Sequence, residues 1–186
     1  MSSGLVLIDE YTVPSPVATV TLGAGSNGSA GNNVSIDTTY NVYQVIISGV
    51  KVSADDALSM RVTKSTAAQD DTNYDEIKEY IKSDAAVALV ASSGSNTQID
   101  ITATIDSGES ASSGNAILGL FNFPNADEFS YITLDSVHYQ YNDNAARGFY
   151  GGIHHRVASA CDGIQFKTNG GNNITAGKFT LYGLNK

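Results

Sequence analysis

Residues 98–105 read Gln-Ile-Asp-Ile-Thr-Ala-Thr-Ile. Ile99, Ile101, Ala103 and Ile105 fall on one side of a two-residue repeat, and Asp100, Thr102 and Thr104 on the other. A helix would scatter that pattern around its circumference; a strand sends alternate side chains to opposite faces. The rhythm recurs at 17–22, with Ala18, Val20 and Leu22 opposite Thr19 and Thr21. It recurs again at 163–167 (Ile164 and Phe166 inside) and at 177–183 (Phe179 and Leu181 inside, Tyr182 outside). Half-buried strands are therefore the expected building block.

Two segments, 43–47 and 116–121, are apolar on both faces. They are expected to be central strands covered on both sides, or strands at an interface. Residues 5–8, 58–63, 129–141 and 148–157 are further strand candidates. In 129–141 the apolar phase slips near Asp135 and Ser136, which fits a bulge or a bend. Turn residues separate the runs at 23–33, 54–57, 92–96, 107–115, 142–145 and 169–173. Short strands with Gly/Asn/Ser turns predict an all-β fold, an antiparallel β-sandwich of jelly-roll-like type. One segment stands apart. In 70–81, Tyr74, Ile77, Tyr80 and Ile81 sit at i, i+3, i+6 and i+7 behind acidic residues, which reads as a short amphipathic helix, a strand pair or an excursion loop.

With 186 residues, a single domain over 1–186 is expected. Pro14 and Pro16 make 1–16 an extended N-terminal arm or an edge strap, because proline donates nothing to a ladder. Ten Lys+Arg against nineteen Asp+Glu give a net charge of −9. Such a chain repels phosphate backbones, so no nucleic-acid partner is expected. Cys161 is the only cysteine, which excludes an internal disulfide and a multi-thiol metal site. No apolar stretch reaches the ~20 residues of a membrane span, so no membrane insertion is expected. Met1-Ser-Ser-Gly lacks a basic region ahead of an apolar run, so synthesis in a cytoplasm without secretion is expected.

Residues that resemble chemical motifs carry little chemistry here. Gly23-Ala-Gly25-Ser-Asn-Gly28 has the spacing of a dinucleotide-binding loop, but Ser-Ala-Gly-Asn-Asn follows where a helix is needed. A flexible hairpin loop joining 17–22 to 34–40 is expected instead. His154 and His155 are strand neighbours and point to opposite faces, so only one of them is available to pair with His138. Cys161 has no protease signature around it and is expected as a small buried side chain. Asp55-Asp56, Asp70-Asp71 and Asp75-Glu76 are adjacent in sequence, whereas glycosidic cleavage needs two carboxylates facing each other across a cleft. No catalytic, cofactor-binding or metal-ligating residue is expected, and no cofactor. Ten tyrosines with no tryptophan, among them Tyr40, Tyr43, Tyr131, Tyr139, Tyr141, Tyr150 and Tyr182, suit half-wet protein interfaces or sugar contact as well as ordinary strand rims.

The closing segment is Cys161-Asp-Gly-Ile-Gln-Phe-Lys-Thr-Asn-Gly-Gly-Asn-Asn-Ile-Thr-Ala-Gly-Lys-Phe-Thr-Leu-Tyr-Gly-Leu184. It resembles the ending of small β-rich virion proteins of tailed bacteriophages, especially marine and cyanobacterial ones. Those chains finish with a strand, a Gly/Asn turn and a strand reading Gly-x-Phe/Val-x-Leu-Tyr-Gly. Tyr40-Asn-Val-Tyr-Gln-Val-Ile-Ile-Ser-Gly-Val50, the turn Ala54-Asp-Asp-Ala57 and Leu58-Ser-Met-Arg-Val62 resemble the same group's strand, acidic turn and strand. With 148–157 the likeness touches half of the chain, while 64–95 match nothing in the group.

The resemblance implies a non-enzymatic structural protein on the virion surface, either a capsid decoration or cement protein or a tail-appendage knob. The alternative it leaves open is a lectin-like, receptor- or glycan-binding module at a tail fibre tip, presenting 142–145 and 169–173 with Tyr139 and Tyr141. The partners implied are other virion proteins of the capsid or tail, further copies of the chain in a homo-oligomer, and a host surface glycan. No heptad run provides a fibre shaft, so a knob or plate is expected.

Overall fold

Each alternating segment forms a strand in the computed structural model, which describes residues 4–108, 110–140 and 143–184. Strands make up 62% of the chain, no helix is present among the described residues, and the sheets are antiparallel. In chain order the strands are β1 (Leu5–Thr12), β2 (Thr19–Gly23), β3 (Val42–Val52), β4 (Asp56–Lys64), β5 (Ala67–Ala68), β6 (Tyr74–Lys82) and β7 (Ala88–Asn96). They continue as β8 (Ile99–Ile105), β9 (Gly114–Phe121), β10 (Ser130–Gln140), β11 (Ala145–His155), β12 (Gly163–Thr168) and β13 (Ile174–Leu184). Eight of them form one sheet in the order β1-β13-β3-β9-β10-β11-β6-β7. The other five form a smaller sheet, β2-β12-β4-β5, with β8 on the free stretch of β4.

The two inner faces supply the core. Val20, Leu22, Met60, Val62, Ile164 and Phe166 come from the small sheet, and Tyr43, Val45, Leu118, Leu134, Phe179 and Leu181 from the large one. Phe166 and Phe179 meet across the gap with ring centroids 5.3 Å apart. Tyr74 ties the sheets together: its hydroxyl accepts from Val62 N at 3.1 Å and donates to Gln69 O at 2.9 Å. β1 is an outer edge, paired only with β13, and the prolines follow it where the chain crosses to the small sheet.

Four local expectations are corrected. Residues 70–81 hold no helix: β6 runs through them, paired with β11 on one side and β7 on the other. A twelve-residue helix is marginal alone, whereas two ladders satisfy the backbone and the buried Tyr74 anchors the register. Residues 92–96, rich in Ser and Gly, are the end of β7 rather than a turn. The slip at Asp135 involves no bulge, because β10 pairs with β9 without a register shift from Tyr131 to His138. Polarity inverts instead: Ser136 and His138 face in, and Val137 and Tyr139 face out. Residues 34–40 form no hairpin arm; Val34 makes only an isolated bridge to Gly25.

Candidate functional site

The two sheets differ on their outward faces. The small sheet presents Thr19, Arg61, Gln165 and Lys167 between inward-facing apolar neighbours, the usual pattern of a sheet with one solvated side. On the large sheet many outward positions are apolar or aromatic, interspersed with Glu79, Asp135, Thr133 and Gln44. Leu89 is 69% exposed, Ile77 62%, Tyr150 61% and Val137 55%, with Ile117, Tyr131 and Phe121 also exposed. The segments 43–47 and 116–121 thus cover the core with one side only. Their second apolar side, Ile46, Ile117 and Phe121, faces outward.

Strand register places these outward side chains in rows across the sheet. One row runs Glu79, Tyr150, Asp135, Ile117, Ile46. The next runs Ile77, Gly152, Thr133, Gly119, Gln44, and a third Asp75, His154, Tyr131, Phe121, Val42. The middle row is small at Gly152, Thr133 and Gly119, so the flanking rows stand up as ridges. Two grooves result, of about 510 and 380 Å³, and both are lined by Thr133. At the rim Lys178 pairs with Glu10 (2.8 Å) and Arg156 with Asp75 (3.2 Å), and Lys51 Nζ donates to the Ser110 carbonyl. Glu79 and Asp135 have no cationic partner among the described residues.

The three histidines separate. His154 lies on the outward face, stacked on Phe129 (centroids 6.0 Å, planes 10° apart) with Nε2 3.2 Å from Asp75 Oδ2. His155 points inward and is fully buried against Tyr74, with Nε2 3.4 Å from Asp71 Oδ1; burial lowers its pKa, and Asp71 opposes the shift. His138 pairs with Arg147 at the far end of the β10–β11 ladder, seven residues, or roughly 23 Å, from His154. Burial, reinforced by the Arg147 cation, takes its pKa down to about 4. Among the described residues, no three His, Cys, Asp or Glu side chains are grouped closely enough to hold a metal ion.

A second, polar cluster joins residues that no sequence motif connects. Glu76 and Asp100 line one polar groove of about 450 Å³ together with Asn96, Gln98 and Asn169. Buried Lys78 joins them: its Nζ is 2.6 Å from Glu76 Oε2 and donates to the Asp100 carbonyl at 2.5 Å. Asp100 accepts from Ser59 Oγ (2.5 Å) and Asn169 Nδ2 (3.1 Å), and burial raises its pKa against the Ser59 hydrogen bond. Gln98 links Arg61, Lys167 and Asn169. These groups are largely spent on one another, so the cluster acts as a joint between β6, β8 and the 169–173 turn.

The remaining candidates differ in their surroundings. In the glycine loop, Gly23 N donates to Asp9 Oδ2 (2.9 Å), Gly25 N to Val34 O (2.8 Å) and Gly28 N to Gly25 O (3.2 Å), which leaves these amides unavailable to phosphate. Cys161 is buried, and burial raises its pKa. Asp55 caps Ser107, and Asp56 is held below the usual carboxylate range: burial opposes that shift, but hydrogen bonds from Gly170 N, Asn172 and Ala57 N outweigh it. Tyr43 is buried, its hydroxyl donating to Asp37 O at 2.7 Å. Tyr131, Tyr139 and Tyr150 are exposed, whereas Tyr141 and Asn142 lie outside the described residues. No helix is long and apolar enough to cross a membrane among the described residues.

Comparison with protein-family models, curated proteins and solved structures finds no match to this chain.

Proposed function

We propose that this chain is a non-enzymatic structural protein of a tailed-bacteriophage particle, bound to the head or tail surface through the outward face of its eight-stranded sheet. One observation carries the reading. The same chain builds one sheet with a polar outer face and another whose outer face exposes Ile77, Leu89, Ile117, Phe121, Tyr131, Val137 and Tyr150. Exposed apolar side chains gathered on one face in this number mark a protein interface. The bacteriophage setting is drawn from the resemblance of 161–184 and 40–62, and the antiparallel sandwich is compatible with it. Either a decoration or cement protein or a tail-appendage knob would bind the particle through such a face.

Ile117→Asp tests the reading. Ile117 is 46% exposed, so the substitution is expected to cost the isolated chain less than about 1 kcal/mol. Incorporation into purified particles, measured as copy number by mass spectrometry, is expected to fall about tenfold or more. A chain absent from the particle, or an Ile117→Asp variant incorporated like the parent, contradicts the proposal.

A further inference from the structure

We propose that the trough between the two ridges seats an extended segment of the partner protein, about six residues long, carrying apolar side chains and at least one lysine or arginine. This rests on the docking role proposed above and names the chemistry of its partner. The trough crosses the strands from Ile77 on β6 to Gln44 on β3. That distance is four strand spacings, or about 19 Å, which an extended chain covers in about six residues. Its floor is Gly152, Thr133 and Gly119, on strands paired along both edges. A guest there cannot add to the ladder and must be held by its side chains.

The walls decide what those side chains are. Ile46, Ile117 and Tyr150 on one side and Phe121 and Tyr131 on the other offer apolar contact. Asp135 and Glu79, set in the same ridge as Tyr150, are carboxylates without a cation. A basic side chain in the guest supplies that charge. A second copy of a chain carrying −9 brings more carboxylate to the same place. A neutral sugar chain finds the rings of Tyr131, Tyr150 and Phe121 but brings no cation to Asp135 and Glu79.

Gly152→Val isolates the trough from the fold. A Cβ at Gly152 meets nothing closer than Ile132 O at 3.9 Å, so the backbone has room for a valine there, whose side chain rises from the trough floor. Gly119 is unsuitable, because a Cβ there lies 2.6 Å from Thr133 Oγ1. The test uses the full chain and synthetic hexapeptides alternating Leu or Tyr with Lys, and a second series with Glu in place of Lys, followed by amide chemical shifts. The Lys series is expected to shift Gly152, Thr133 and Gly119, to weaken about fivefold in Asp135→Asn, and to lose binding in Gly152→Val. Failure of the Lys series to bind at millimolar concentration overturns the proposal, as does equal binding of the Glu series or binding indifferent to Gly152→Val. The same shifts caused by a neutral oligosaccharide, or by concentrating the chain alone, overturn it in favour of a glycan or a second copy. If Ile117→Asp blocks incorporation into particles while Gly152→Val does not, the face docks and only the trough assignment falls.

Discussion

Lys78→Met is expected to destabilise the fold by about 3–5 kcal/mol, the size of effect seen when one member of a buried ion pair is removed. Lys78 is only 3% exposed. Its ammonium is shared between Glu76 Oε2, the Asp100 carbonyl and the face of Phe149, whose centroid is 4.2 Å away. Without it, Glu76, whose side chain is 11% exposed, stays behind as a nearly buried carboxylate with no cation beside it. The pair itself is worth much less than its disruption, because both ions lose hydration on folding. The double variant Glu76→Gln with Lys78→Met is therefore expected to recover most of the loss. Urea titrations measure both: the midpoint falls at constant slope in the single variant and returns in the double. A Lys78→Met protein as stable as the parent would show that this joint is not formed in the folded state.

The second large effect is acid sensitivity. His138 titrates at about 4 in the folded chain against 6.5 when unperturbed. Between those values the unfolded chain binds more protons, so stability falls as pH is lowered through the window from about 6.5 to about 4. At about 1.4 kcal/mol per pH unit the loss from His138 alone is about 3 kcal/mol, complete below pH 4. His155 is shifted in the same direction and adds to it. Asp100 works the other way: its raised pKa favours its protonated form in the fold, so its cost is relieved as pH falls. Asp56 is shifted down, and its contribution is lost only below the usual carboxylate range. The result expected is a steep decline in melting temperature between pH 6.5 and 4 that flattens in His138→Gln. An unchanged slope in that variant would assign the acid sensitivity elsewhere.

What was legible in the sequence followed from alternation. Residues 98–105, 163–167 and 177–183 became β8, β12 and the end of β13, because their apolar side chains had one core to enter. The exposed apolar side chains of the large sheet were legible too, since 43–47 and 116–121 are apolar on both faces and the fold buries only one of them. The failures have a common cause in polar groups turned inward. Ser136 and His138 take inner positions on β10, so its apolar phase slips where the backbone is regular. Lys78 and Glu76 take inner positions on β6, and their strand was hidden behind a helical spacing. Asp100 was visible as the polar side of a strand, but its meeting with Glu76 depends on β8 packing across the core against β10 and β11, beside β6, which no local pattern specifies.

Hydroxyl-radical footprinting of the isolated chain and of the assembled particle tests the docking face most directly. Tyr131, Tyr150 and Phe121 are predicted to react in the free chain and to be several-fold protected in the particle. Equal reactivity of the three rings in both states would contradict a role for this sheet in binding.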